Sequence, residues 1–113
     1  MALEKWSDRV VVARLADDPQ LTEDLLSLDQ SGNHNPRDVV LDFSTVNYVN
    51  SSHLSRLLKL RKRITSEEGR IILCGVGTQV WGTLLMTGLD KVFTFTDDVT
   101  TALATLQIEG QSN

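Results

Sequence analysis

Apolar positions along the chain follow two periods, and the change from one to the other marks out the elements. RVVVARLA, Arg9 to Ala16, is rich in β-branched residues and predicts a strand. LEKWS ahead of it predicts a short partner strand. Asp18 as N-cap, with Pro19 at the first helical position, then opens a helix. Leu21, Leu25 and Leu28 recur along it at i, i+4 and i+7. Gly32 and Pro36 end it. DVVLDF, Asp38 to Phe43, is an almost unbroken apolar run and predicts a buried central strand.

The loop STVNYVN leads into a second helix, from about Ser51 or Ser52 to Glu67. Leu54, Leu57, Leu58, Leu60 and Ile64 share one arc of its wheel. Arg61 falls inside that arc, where its stem can lie on apolar surface while the head reaches water. Arg56, Lys59, Lys62 and Arg63 occupy the remaining face, and Gly69 ends the helix. RIILC, Arg70 to Cys74, predicts the next strand. Thr78 is placed to cap a helix carrying Val80, Trp81, Leu84 and Leu85, with Gly88 at its left-handed C-terminus. KVFTF, Lys91 to Phe95, predicts the last strand. Asp97 or Thr96 then caps a helix bearing Val99, Leu103 and Leu106, and EGQSN reads as a frayed tail. Strands alternating with helices imply an α/β domain: a mostly parallel or mixed sheet of four or five strands, flanked by about four helices.

Composition narrows the function classes. The chain has 113 residues, enough for one core: a single domain over 1–108 with a disordered tail over 109–113. A formal charge of −4 gives no global positive field to draw in nucleic acid or anionic lipid. The single cysteine, Cys74, cannot staple the fold and reads as a small core hydrophobe. No apolar run approaches the ~20 residues of a membrane helix. The N-terminus lacks a signal-length apolar stretch, so membrane insertion is not expected and a cytoplasmic location is.

Most catalytic constellations are absent. His34 and His53 stand far apart, with no ligand at metal spacing to either, so no metal is expected. GVGTQVWG, with Gly75, Gly77 and Gly82, has Val80 where a dinucleotide fingerprint needs glycine, and no Lys-Ser/Thr pair follows. It reads as a strand-to-helix turn with a close helix contact at Gly82. Ser51 and Ser52 lie outside any G-x-S-x-G elbow, and no carboxylate evidently orients His53. The aspartate pairs Asp17–Asp18 and Asp97–Asp98 sit at helix starts, where the helix dipole favours anions. Neither a catalytic residue nor a cofactor is therefore expected.

The strand-to-helix junction VNSSHL remains. Asn50 or Ser51 is placed to cap the helix. A serine there also presents its hydroxyl beside free N–H groups, where a phosphate is stabilised.

From Asp38 to about Leu106 the chain resembles a STAS domain, the fold of anti-sigma factor antagonists. The resemblance rests on VVLDFSTVNYV, NSSHL, GRIILCGV and LLMTGLDKVFTFTDDVTTALATL. The N-terminal third matches in element order alone, with ARLADD in place of the family's usual Gly-x-Leu-Asp-like turn. The family's acceptor pattern is Asp-Ser-Ser/Thr-Gly-Leu. Carried over, it makes Ser51 the phosphorylation site, Ser52 the second candidate and Leu54 the leucine. Asn50 stands for the aspartate, and His53 for the glycine, where a partner kinase would otherwise approach bare backbone.

The resemblance implies a non-enzymatic, phosphoserine-switched interaction module, monomeric or weakly dimeric. It would bind an anti-sigma factor with serine-kinase activity and so release a sigma factor. Asn50, Ser51, Ser52, His53, Arg56 and Lys59 would form the contact surface. Ser51 is expected both to cap the helix and to accept phosphate. Two other readings are an accessory subunit docking on the ATPase of a lipid-type ABC transporter, and a small-ligand-binding α/β enzyme.

Overall fold

The computed structural model describes residues 2–7, 9–30 and 38–111; His34 and the last two residues of the expected tail lie outside them. Strands β1 (Ala2–Lys5), β2 (Val10–Ala16), β3 (Asp38–Thr45), β4 (Ile71–Cys74) and β5 (Thr94–Thr96) form one sheet in the order of the chain. β1 runs antiparallel to β2, and the other pairings are parallel. Helices α1 (Gln20–Gln30), α2 (Ser51–Ser66), α3 (Thr78–Thr87) and α4 (Val99–Gln111) fill the connections.

The sheet has a core on each face. Alternate residues of β2, Ala13 and Leu15, join Val39, Leu41 and Phe43 of β3 beneath the buried leucines of α1, α2 and α3. Val12, Val40, Ile72 and Cys74 point the other way, against Ala102 and Leu106 of α4. β3 lies in the middle, buried on both faces from Asp38 to Phe43, which accounts for its almost unbroken apolar run. Asp38 accepts from the Arg70 backbone N–H at 2.9 Å and pairs with the Arg70 guanidinium at 3.0 Å, joining the starts of β3 and β4.

Several local expectations are corrected. The last strand is Thr94–Thr96, not Lys91–Phe95. Leu89–Lys91 instead form a 3-10 turn, and Leu89, Val92 and Phe93 pack against the core at i, i+3 and i+4. α1 begins at Gln20, one residue beyond Pro19, while Asp18 Oδ1 accepts from the Thr22 backbone N–H. Gly77, not Thr78, occupies the N-cap of α3 and makes no side-chain cap bond. Asp98 rather than Asp97 or Thr96 caps α4, its Oδ1 accepting from Thr101 N–H at 2.8 Å. α4 itself runs to Gln111, past the expected start of the tail, because no proline or left-handed glycine stops it.

Gly82 has open space around it, so no close helix contact requires it. The demanding glycine of that stretch is Gly75, at φ +67°: a Cβ there would meet Asp42 Oδ1 and Ser44 Cβ at 3.1 Å. Gly88 takes the left-handed C-cap of α3 as expected. Leu58 leaves the apolar arc of α2 and is 39% exposed, whereas Leu54, Leu57, Leu60 and Ile64 are buried. Trp81 and Leu85 likewise face outward on α3, leaving Val80 and Leu84 as its buried pair.

Candidate functional site

The junction of β3 and α2 lies at the C-terminal end of the parallel strands, where open α/β sheets present their loops. Two loops meet there. Asp17 accepts from the Asn47 backbone N–H at 2.8 Å and from Asn47 Nδ2 at 2.9 Å. Thr45 Oγ1 donates to the Leu15 carbonyl at 2.7 Å. The Asn47 side chain and N–H hold the Asp17 carboxyl below the usual carboxylate range. The segment leading into α2 is thus bonded to the one leading into α1.

Asn50 is the cap of α2. Its Oδ1 accepts from His53 N–H at 3.0 Å, and the His53 ring reciprocates, Nδ1 accepting from Asn50 N–H at 3.0 Å. This is a capping box with histidine in the place usually held by Glu or Gln. Ser51 therefore does not cap the helix. With Asn50 accepting, Ser51 is the first helical residue, exposed, and its hydroxyl bonds to no described residue. Ser52 is exposed beside it.

His53 was expected at the contact surface, but it is 1% exposed. Its side chain turns inward, and Nε2 lies 2.7 Å from Asp18 Oδ2 and 3.2 Å from Thr22 Oγ1. Thr22 donates from both hydroxyl and backbone N–H to Asp18 Oδ1, which chiefly holds the Asp18 carboxyl below the usual range; the His53 contact adds to this. Asp18 and Thr22 are the residues sequence reasoning missed. They lie 35 and 31 positions from His53, and no local pattern joins them.

On the basic face, Lys59 is exposed. Arg56 is half-buried, its Nε sealed from water with no hydrogen-bond partner among the described residues. Arg63 is committed to structure: it donates to the Leu28 carbonyl at 2.8 Å and pairs with Glu67 at 3.1 Å. Arg61 Nε donates to the Val92 carbonyl at 3.1 Å, so its head is anchored rather than simply solvated. Tyr48, 64% exposed, and Leu58 add apolar surface near the junction. Among the described residues, no cluster of His, Cys, Asp or Glu could hold a metal, and no helix is long and apolar enough to cross a membrane.

The architecture has solved counterparts. A Thermotoga maritima protein determined by NMR superposes with a TM-score of 0.80 at 21% identity, over 94% of this chain and 87% of that one. An anti-sigma-factor antagonist (STAS) domain protein of Planctomyces limnophilus gives 0.75 at 20% identity, over 93% and 97%. Bacillus SpoIIAA in its phosphorylated form gives 0.71 at 17% identity, over 92% and 96%. No curated protein sequence gives a significant match. At these identities the solved structures speak for the fold. A model of the STAS domain family matches residues 3–102, nearly the whole chain and including the N-terminal third, and the protein therefore belongs to the STAS domain family.

Proposed function

We propose that this chain is an anti-sigma factor antagonist: a non-enzymatic STAS module whose contact with a serine-kinase anti-sigma factor is switched by phosphate on Ser51. The observation that carries the reading is the division of labour at the start of α2. Asn50 takes the cap, so the Ser51 hydroxyl is left outward and uncommitted. A phosphate on that hydroxyl would sit at the positive end of a 16-residue helix. It would also place about −1.5 to −2 charges in a surface that a partner must desolvate. The inward turn of His53 removes the imidazole from the approach to Ser51. SpoIIAA, solved in phosphorylated and unphosphorylated forms as an anti-sigma factor antagonist, shares the fold and supports the same use of it here.

The partner surface in this reading comprises Asn50, Ser51, Ser52, Arg56 and Lys59, with Tyr48 and Leu58 as its apolar portion. Incubation with a cognate serine-kinase anti-sigma factor and ATP, followed by peptide mass mapping, tests it. Phosphate is expected on Ser51, absent in Ser51→Ala and retained in Ser52→Ala. Arg56→Glu with Lys59→Glu should weaken binding of the same partner. Phosphate on Ser52, or on neither serine with an active kinase, would overturn the switch. Copurification with transporter subunits in its place would favour the ABC-transporter accessory role.

A further inference from the structure

β4 and β5 are parallel neighbours, yet the chain leaves them in opposite directions. After β4 it turns to α3, whose Val80 and Leu84 join the core on one face of the sheet. After β5 it turns to α4, whose Ala102 and Leu106 lie on the other. Adjacent connections that part in this way leave a crevice beyond the carboxyl ends of their strands, the place where open α/β sheets take ligands. Here the crevice holds about 280 Å³ and is lined by Gly75, Val76, Trp81, Phe95, Thr96 and Asp97. Sites for drug-sized molecules run from about 300 to 1,000 Å³, so this one suits a smaller molecule. Trp81 and Phe95 meet at 90° with ring centroids 5.0 Å apart, which gives the crevice an aromatic corner. Of the two aspartates beside it, Asp98 is committed to capping α4, accepting from Thr101 N–H at 2.8 Å. Asp97 is exposed, and its carboxylate bonds to no described residue.

We propose that this crevice binds a small quaternary ammonium compound, with the cation against the faces of Trp81 and Phe95 and with Asp97 at the rim. The faces of aromatic rings are negative and attract cations, tryptophan most strongly. No lysine or arginine lines the crevice to favour an anion. The N-termini of α3 and α4 open beside it, and each carries about half a positive charge. The full negative charges of Asp97 and Asp98 outweigh those helix ends, so the rim stays negative. Hydrogen-bonding capacity then selects among cations. Thr96 Oγ1 is engaged, donating to the Asp98 carbonyl at 3.0 Å, and Asp97 is the one carboxylate among the lining side chains. A guanidinium or an alkylammonium brings several N–H donors that each need an acceptor, and a quaternary ammonium brings none. An aromatic corner with a single carboxylate therefore takes the quaternary cation without leaving donors unpaired.

The site lies apart from Ser51 and is tested without a kinase. The probe is choline, titrated into the labelled, full chain at constant ionic strength and followed by proton–nitrogen NMR. The Trp81 indole N–H and the amides of Phe95, Thr96 and Asp97 should shift and saturate together. Trp6, just after β1 at the opposite edge of the sheet, should stay still as an internal control. The carbon isostere of choline, a neutral dimethylbutanol, has the same shape without the charge and should bind roughly two- to thirtyfold more weakly. Asp97→Asn should weaken choline about two- to fivefold and leave the isostere unchanged. Trp81→Leu should abolish choline binding, whereas Trp81→Phe, which keeps an aromatic face, should retain part of it. Equal affinity for choline and its isostere would overturn the proposal, since the crevice would then be merely apolar. So would shifts that never saturate or that move Trp6 equally, or choline binding unchanged in Asp97→Asn. Methylguanidinium binding more tightly than choline would also overturn it, in favour of an arginine side chain as the occupant.

Discussion

Asn50 and Ser51 are neighbours with separate duties, and single substitutions separate them. Asn50→Ala removes the oxygen that accepts His53 N–H, and should lower stability in urea by about 0.5–2 kcal/mol. Ser51→Ala removes no hydrogen bond to a described residue, and should stay within ~0.5 kcal/mol of wild type. A large loss in Ser51→Ala would return the capping role to the serine. Cys74 makes a second residue-scale case. Burial, aided by the Asp42 and Asp98 carboxylates, pushes its thiol up to about 12. The thiolate is the reactive form, so the native protein at pH 8 should resist a thiol reagent that labels the unfolded chain rapidly. Prompt labelling of native protein would contradict a fully buried Cys74.

α2 is the element on which the site depends. Its N-terminus carries the junction, and its buried row of Leu54, Leu57, Leu60 and Ile64 holds that terminus to the sheet. Leu57→Ala opens a cavity at a residue 1% exposed, and should cost about 2–5 kcal/mol. Leu58→Ala alters the solvent side of the same helix, and should remain within ~0.5 kcal/mol. Paired denaturation curves check both. Equal losses would mean that Leu58 packs as its place on the helical wheel suggests. The wheel treats α2 as a cylinder with one apolar stripe, but the sheet covers a narrower stripe than the leucines span. Leu58 is left at the margin, available to a partner.

Across the whole molecule, carboxylates at loop and helix starts tie the architecture to pH. Asn47 holds Asp17 below the usual carboxylate range, Thr22 holds Asp18 there, and the Thr101 backbone N–H holds Asp98 there. Each stays ionised in the folded protein at a pH where the unfolded chain already binds protons. Their stabilisation is therefore complete above the ordinary carboxylate range, about pH 4, and is lost as the pH falls through the lower folded values. Thermal midpoints measured from pH 7 to pH 3 should hold level and then drop in the acid limb. Asp98→Asn should flatten part of that drop. A midpoint indifferent to acid would show that these bonds contribute nothing to stability.

The amino-acid sequence by itself determined the succession of strands and helices, the central place of β3, the left-handed turn at Gly88 and the position of the serine pair at a strand-to-helix junction. Each follows from residues within a few positions of one another: periods of 2 and 3.6, a β-branched run, a glycine free to take positive φ. The resemblance to STAS domains was legible for the same reason, because its motifs are contiguous. Tertiary structure decided which side chains those elements leave free. His53 stands two positions from Ser51 in sequence and reads as surface. It is buried because the start of α1 and the loop before it are brought against the start of α2, supplying Thr22 and Asp18 from more than 30 residues away. Val92 and Phe93 likewise read as part of the last strand until a core on one side of the sheet draws them, with Leu89, into a turn. Local patterning records which face of an element is apolar. Hydrogen bonds between loops at the ends of parallel strands depend on how the chain returns to the same edge, and no short stretch of sequence carries that.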